Sequence, residues 1–165
     1  MKRVPPEKKG FRPKIIDRKT MIAECLAEER VVINLEADEF NDAVRSLSTR
    51  SSVPDPEALC RKVIEHEKLM TTCLGRGAAL PRAHVAGCDR PEIIIGVASR
   101  GIKAPSFDHR PVSIIFLHVF PLATEGSKIL SQSLRLLGDE NFRNEILRAA
   151  TPSDLIRVVG RWEQP

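Results

Sequence analysis

Residues 69–85 read Leu69-Met70-Thr71-Thr72-Cys73-Leu74-Gly75-Arg76-Gly77-Ala78-Ala79-Leu80-Pro81-Arg82-Ala83-His84-Val85, and this stretch decides the fold. A helical pattern ends at its start, the two glycines predict a turn, and a short apolar strand leads into Pro81. Arg82 and His84, two residues apart in an extended segment, are predicted to point to the same face. A cation beside an imidazole predicts an anion or phosphoryl site. The alternative interpretation is a surface hairpin with ordinary polar tips.

The composition predicts one ordinary globular domain. The 165 residues are 42% hydrophobic and 29% charged, and no apolar run approaches the roughly 20 residues that span a bilayer. The basic start leads into no apolar segment, so no signal peptide is predicted, and a cytoplasmic location is expected. The four cysteines form no C-x-x-C pair. They are interpreted as reduced thiols, and neither a metal nor a cofactor is expected.

The positive charge is concentrated at the start of the chain. Residues 1–19 contain eight Lys or Arg and two Asp or Glu, a net charge of +6, which leaves −2 on the rest of the chain. With three prolines and a glycine in this segment, we predict a basic flexible tail at 1–19, followed by one domain at 20–165. No RNA-binding aromatic motif and no helix-turn-helix pattern occurs, so no specific nucleic-acid binding is expected. We interpret the tail either as a solubilising leader or as a segment that attracts RNA, DNA or an acidic partner through screened charge, independently of sequence.

The periodicity predicts an α/β protein, a three-layer α/β/α sandwich with a small mixed central sheet. The order is one strand, two helices, three strands and three helices. The chain is predicted to begin with a short helix from Met21, capped by Thr20, to about Glu28, and a strand at 31–35. Two helices follow, one from Asp38 and one from Pro56, which Asp55 caps. Three strands come next, one ending at Pro81, one at 93–98 and one at 111–120, and the last elements are helices at 125–137, at 140–149 and from Ser153.

Two further histidines lie inside predicted elements. His118 interrupts the most apolar strand, so it is interpreted as a hydrogen-bonded histidine of the core, with a catalytic role as the alternative. His66 lies between Glu65 and Glu67 near a helix end. If those carboxylates lie near the imidazole they favour its protonated form, and the alternative is a solvated charge run.

The run Glu65-His66-Glu67-Lys68-Leu69-Met70-Thr71-Thr72-x-Leu74-Gly75-x-Gly77-x-Ala79-Leu80-Pro81 resembles the type-2 enzyme IIA domain of the bacterial phosphoenolpyruvate-dependent phosphotransferase system. The branch is the fructose, mannitol and nitrogen-regulatory one. The resemblance continues through Asp89-Arg90-Pro91, Phe107-Asp108 and Arg110-Pro111-Val112 and covers about residues 20 to 160. It implies phosphoryl relay, in which an imidazole accepts the group from the histidine phosphocarrier protein and passes it to a IIB partner or holds it as a signal.

Three positions depart from the family pattern. The resemblance implies a histidine directly after the proline and an arginine or lysine two residues later, whereas this chain has Arg82 and then His84. The family's upstream arginine falls on His66. Its second histidine, in a His-Leu pair, falls near Gly126 and Ser127.

These departures favour a divergent IIA-like regulatory or protein-binding domain that has lost ordinary phosphocarrier activity. A guanidinium stays protonated and offers no lone pair, so His84 is the candidate acceptor, with Arg82 as clamp and His66 as second imidazole. Arg76, Arg82, His84 and Ser127 form the predicted anion-binding group. The alternatives are an active phosphocarrier on His84 and a sensor of a small anionic metabolite. Expected partners are the histidine phosphocarrier protein or a regulated target protein, and the sequence does not decide the oligomeric state.

Overall fold

A computed structural model describes residues 21–164 of the chain. The predicted basic tail at 1–19 and the predicted capping residue Thr20 lie outside the described residues. None of the helices within 21–164 combines the length and the apolar character needed to cross a bilayer.

The described residues form a six-stranded mixed sheet with five α-helices. Two short 3-10 helices, Ile22–Cys25 and Glu28–Arg30, precede the first strand. The strands are β1 (Val31–Val32), β2 (Cys73–Gly75), β3 (Ala78–Ala79), β4 (Arg82–Val85), β5 (Glu92–Ile102) and β6 (Val112–Pro121). The helices are α1 (Phe40–Ser48), α2 (Pro56–Leu69), α3 (Ser127–Gly138), α4 (Glu140–Arg148) and α5 (Pro152–Glu163).

Strand β6 is the centre of the sheet. On one side it pairs antiparallel with β5, and β1 lies parallel beyond β5. On the other side β3 and then β4 pair with it in parallel, one after the other, and β2 lies antiparallel outside β3. Successive side chains of β6 point to opposite faces, as a pleated strand requires.

The two faces of the sheet carry two separate apolar cores. Ile115, Leu117 and Val119 of β6 pack in the cluster that contains α1 and α2. Ile114, Phe116 and Phe120 pack in the cluster that contains α3, α4 and α5. The predicted three-layer α/β/α sandwich with a mixed central sheet is therefore confirmed.

Several predicted boundaries differ from the structure. The predicted strand at 31–35 is reduced to β1, because Asn34 has a positive φ of 59° and turns the chain. The predicted helix from Met21 to Glu28 is replaced by the two 3-10 helices, where the backbone amides of Ile22 and Ala23 donate to Glu163 of α5. The sequence predicted four strands, and residues 21–164 contain six; the two additional strands are β2 and β4, of three and four residues.

The turn between β2 and β3 is built from three consecutive left-handed residues. Gly75, Arg76 and Gly77 have φ values of 79°, 56° and 79°, a conformation that glycine adopts at low cost and arginine does not. The carboxylate of Asp108 holds the turn, since it accepts from the Arg76 backbone amide at 2.7 Å. The Ser106 hydroxyl at 2.7 Å and the Arg110 amide at 3.1 Å donate to the same carboxylate. The Ser106 bond, followed by the two amide bonds, lowers the pKa of Asp108 to about 2.

This pKa generates a pH-dependent prediction. The folded-state pKa of Asp108 lies below its ordinary value of 3.8. The ionised carboxylate therefore stabilises the fold at pH values above 3.8, and this stabilisation is lost as the pH falls towards 2. Asp108→Asn should therefore lower the melting temperature at neutral pH, and the difference from the parent should shrink across that acidic interval. Thermal unfolding followed by circular dichroism over a pH series measures it.

The matched control is Asp89→Asn. Asp89 is exposed and makes no hydrogen bond within the described residues, so this variant should unfold like the parent at every pH. A parent-like melting temperature for Asp108→Asn at neutral pH would show that the carboxylate does not hold the turn.

Candidate functional site

The register of β4 against β6 places Arg82 and His84. Arg82 pairs with His118, and His84 pairs with Phe120. Because paired residues of neighbouring strands point to the same face, Arg82 and His84 lie on the α3 side of the sheet, as their spacing predicts. The Pro81 carbonyl fixes this register by accepting from the His118 amide at 2.8 Å.

His84 is an exposed residue with one ring nitrogen engaged. Its Nε2 lies 3.0 Å from the Thr124 carbonyl, and because a carbonyl only accepts, Nε2 carries the proton and donates. The ring packs on Phe120, with centroids 5.1 Å apart. The lone pair of the neutral ring is therefore on Nδ1.

Arg82 is half-buried and has no hydrogen-bond or ion-pair partner among residues 21–164. Its neighbour in register, His118, is fully buried. His118 donates from Nδ1 to the Phe116 carbonyl at 2.9 Å and accepts at Nε2 from the Ser133 hydroxyl at 2.9 Å. Burial is the largest cause that lowers the pKa of His118, to about 4. The predicted core histidine is thus confirmed, and it is uncharged at neutral pH beside the Arg82 guanidinium.

A cavity of about 450 Å³ opens where α2 meets the outer edge of β4. It is lined by Lys62, Glu65, His66, Leu69, Arg82, Ala83 and His84. The Lys62 ammonium donates to the His84 carbonyl at 3.3 Å. The Nδ1 atom of His66 is buried and has no partner among the described residues. The structure thus brings His66, Arg82 and His84, which are far apart in sequence, to one cavity.

Two other predicted anion-binding residues do not line this cavity. The carbonyl of Gly77, the residue after Arg76, accepts a hydrogen bond from the Ser113 amide of β6. His84, in contrast, pairs with Phe120 of β6. These partners are seven residues apart on β6, so Arg76 is about 23 Å from His84 along the sheet. Ser127 is the first residue of α3, and its hydroxyl donates to Glu125 at 2.9 Å. The predicted grouping of Arg76 with Arg82 and His84 is therefore not present in the structure.

The space at Gly126 is filled by the Phe120 ring. A β-carbon built on Gly126 would lie 2.5 Å from the Phe120 Cζ atom. This is closer than real β-carbon contacts, and Phe120 is fully buried. A side chain at 126, near where the family resemblance places a second histidine, is excluded unless Phe120 moves.

Sequence reasoning missed three contributors to the site. Lys62 stands one helical turn before His66, so the i, i+4 spacing could have found it. Phe120 and Thr124 gave no such signal, because their contacts with His84 depend on the pairing of β4 with β6. The described residues contain no group of three or more His, Cys, Asp or Glu that could hold a metal ion. All four cysteines are buried free thiols, and burial raises the pKa of each.

Residues 24–161 match the family model described as phosphoenolpyruvate-dependent sugar phosphotransferase system, EIIA 2. The chain is 26% identical over 152 residues to the PTS system fructose-specific EIIABC component of Bacillus subtilis, covering 87% of the chain but only 24% of that protein. It is 25% identical over 143 residues to the nitrogen regulatory protein of Bradyrhizobium diazoefficiens, covering 84% of the chain and 93% of that protein.

Solved structures show the same fold. Nitrogen regulatory protein IIA-Ntr from Neisseria meningitidis superposes with a TM-score of 0.75 at 19% identity, covering 84% of this chain and 98% of that one. IIA mannitol from Escherichia coli gives 0.68 at 16% identity, covering 81% and 98%. The complex of enzyme IIA mannitol with phosphorylated enzyme IIB mannitol from Escherichia coli gives 0.70 at 15% identity, covering 82% and 97%.

The contact between Gly126 and Phe120 predicts a specific stability effect. Gly126 has a φ of −93°, which alanine also adopts, so the cost of Gly126→Ala is steric. We expect a loss of about 1–3 kcal/mol in the free energy of unfolding, measured by urea denaturation. Adding Phe120→Leu should reduce that loss, so the two substitutions should not be additive.

Gly160→Ala is the matched control. Gly160 lies inside α5, and a β-carbon added there would have no other atom within 4 Å, so alanine should stabilise by about 0.5–1 kcal/mol. Equal effects of the two glycine substitutions would contradict the steric account.

Proposed function

The chain belongs to the phosphoenolpyruvate-dependent sugar phosphotransferase system EIIA 2 family, and from this membership we propose a divergent regulatory or protein-binding domain without ordinary phosphocarrier activity. The observation that carries the proposal is Arg82. It occupies the position directly after Pro81 at which the resemblance implies the acceptor histidine. A guanidinium remains protonated at neutral pH and has no nitrogen lone pair with which to attack phosphorus.

His84 does not occupy the position at which the resemblance implies the acceptor histidine. It is two residues further along β4, a displacement of about 7 Å. Its Nε2–H is held by the Thr124 carbonyl and its ring by Phe120. Phosphoryl transfer requires the attacking nitrogen in line with the leaving group, and a misplacement of about 1 Å already costs much of the rate.

The second imidazole of the family site has no counterpart at 126. Gly126 supplies no side chain, and the Phe120 ring fills the space that one would need. His66 supplies an imidazole from α2 instead, at the position where the resemblance implies an arginine. Both changes support altered chemistry on an unaltered scaffold.

The expected partners follow from the family. A solved relative is a complex of enzyme IIA mannitol with phosphorylated enzyme IIB mannitol, and a histidine phosphocarrier protein or a regulated target protein is the corresponding partner proposed for this chain. A cytoplasmic location is part of the same proposal. The sugar-specific and nitrogen-regulatory branches are both represented among its relatives.

A second candidate function is an active phosphocarrier on His84. The observation that favours it is the free lone pair on Nδ1 next to the half-buried Arg82, which could clamp phosphoryl oxygens. A nucleophilic nitrogen beside a cation is the minimum that phosphoryl capture requires.

A phosphorylation assay separates the two candidates. The protein is incubated with phosphoenolpyruvate, enzyme I and the histidine phosphocarrier protein, and its intact mass is measured before and after acid. We expect no acid-labile gain of a phosphoryl group on the parent. The double variant Arg82→His, His84→Arg, which restores the order Pro-His-x-Arg, should gain one in a measurable fraction of molecules, because it returns a lone pair to position 82.

An active family member in the same mixture shows that the relay is running, and circular dichroism shows that each variant is folded. An acid-labile phosphoryl group on the parent that disappears in His84→Ala would overturn the proposed loss of activity and establish His84 as the acceptor.

A further inference from the structure

We propose that the open edge of β4 binds an extended, acidic segment of a partner protein as an additional strand of the sheet. The inference rests on the protein-binding role in the proposed function, because it names the class of partner that this role would take. It concerns the backbone of β4 and the charges around it, and it requires no transfer of a phosphoryl group.

The order of the strands leaves the place beside β4 open. β3 and β4 follow one another along β6, and β2 covers the outer side of β3. Within residues 21–164, β4 pairs with β6 alone. A strand laid beside β4 would therefore occupy the place that β2 occupies beside β3.

The register shows which backbone groups of β4 face this open side. The Pro81 carbonyl accepts from the His118 amide, and in a parallel pair the residues that bond to the neighbouring strand alternate along the chain. The amide and carbonyl groups of Arg82 and His84 therefore point away from β6. The hydrogen bond from the Lys62 ammonium to the His84 carbonyl, 3.3 Å long, has the same direction.

Backbone donors and acceptors along a strand edge are a template for pairing with another chain. An extended segment that pairs with such an edge gains main-chain hydrogen bonds, and the side chains on the two faces of the sheet select its sequence. The cavity between α2 and β4 leaves room beside this edge, with a volume of about 450 Å³. The edge of β4 thus has both the bonding groups and the space that an added strand requires.

The side chains around the edge favour a segment with carboxylates. On the α3 side of the sheet, the segment would meet the Arg82 guanidinium, which has no hydrogen-bond or ion-pair partner in the described part of the chain. On the α2 side it would meet Lys62 and Leu69, which is 87% exposed. Of the described residues that line the cavity, Glu65 contributes the only carboxylate. Carboxylates alternating with apolar side chains therefore fit the two sides.

The same charges disfavour the two other occupants of the edge. Residues 1–19 of this chain have a net charge of +6, so Lys62 and Arg82 would repel this segment. A second copy paired through β4 would bring these two cations of both copies together, and like charges on facing strands are destabilising. An acidic segment of a different protein is the occupant whose charge complements the edge.

The probe for the test is a capped peptide of about eight residues, within the ordinary length of a strand, in which glutamate and valine alternate. Its binding to the full chain is measured by fluorescence anisotropy, and amide hydrogen exchange is followed residue by residue by NMR. We expect the Arg82 and His84 amides to exchange rapidly in the free chain and about tenfold or more slowly with the peptide bound. The Ala83 and Val85 amides, which face β6, are the internal controls and should be protected in both states.

His84→Pro separates the backbone pairing from the side-chain contacts. Proline removes an amide hydrogen that faces away from β6, and it leaves the bonds between β4 and β6 in place. Peptide affinity should fall about three- to tenfold further than in His84→Ala, which removes the same imidazole and keeps the amide. Circular dichroism shows that each variant is folded. A peptide that is N-methylated on the side facing β4 makes the same test on the unaltered protein, and it should bind about tenfold more weakly.

Arg82→Ala tests the charge of the edge. It should weaken binding of the acidic peptide about tenfold, because a charged hydrogen-bonding group is lost. Arg76→Ala is the matched control, since it removes the same charge from an exposed turn about 23 Å away along β6, and it should leave the affinity unchanged. A peptide with lysine in place of glutamate should show no saturable binding.

The contrary outcomes separate this inference from the proposed loss of carrier activity. No peptide binding, equal binding of the acidic and basic peptides, or undiminished binding of the N-methylated peptide overturns the inference and leaves the result of the phosphorylation assay as it stands. Protection of the Arg82 and His84 amides in the free chain also overturns it. Protection that is lost on dilution identifies a second copy, and protection that persists identifies a segment of this chain. A chain that binds the peptide and also accepts a phosphoryl group upholds strand addition and overturns the loss of carrier activity.

Discussion

The parallel pairing of β4 with β6 is the constraint on which the rest of the site depends. The hydrogen bond from the His118 amide to the Pro81 carbonyl fixes it, and a slip of one residue would move Arg82 and His84 to the opposite face of the sheet. With this register, Arg82 stands beside a neutral buried histidine and His84 stands over Phe120. The chemistry available to the cavity is therefore set by a backbone register and not by local flexibility of the two side chains.

The turn before β3 leads the chain into this side of β6. Three left-handed residues reverse the chain, and the carboxylate of Asp108 pins the middle one through its amide. After the turn, β3 and β4 follow one another along the same side of β6. The residues that carry the family resemblance in this segment, Gly75, Gly77 and Asp108, are thus explained by folding alone. They fix where the site lies without deciding what it does.

The layer arrangement and most helices could be predicted from the sequence, because amphipathic periodicity and caps are local signals. Asp55 caps α2 with a 2.9 Å bond to the Ala58 amide, as predicted, and the apolar runs at 93–98 and 111–120 lie almost wholly within β5 and β6. The shortened β1 could not be predicted, since a left-handed Asn34 is an alternative that the sequence permits but does not require. The meeting of His66 with Arg82 and the separation of Arg76 from His84 depend on tertiary pairing, for which no local pattern exists.

The packed contacts around the site are retained, whereas the side chains that would perform its chemistry are altered. If the fold had merely decayed around an unused site, we would expect buried contacts near the site to be lost as well. Instead His118 is bonded at both ring nitrogens, Phe120 closes the space at Gly126, and the Thr124 carbonyl orients His84. The guanidinium of Arg82 and the Nδ1 atom of His84, on the same face of β4, have no hydrogen-bond partner within the described residues. A partly exposed guanidinium without a protein partner keeps its donors for solvent or for an anion, and this availability is the physical basis for expecting an anionic ligand there.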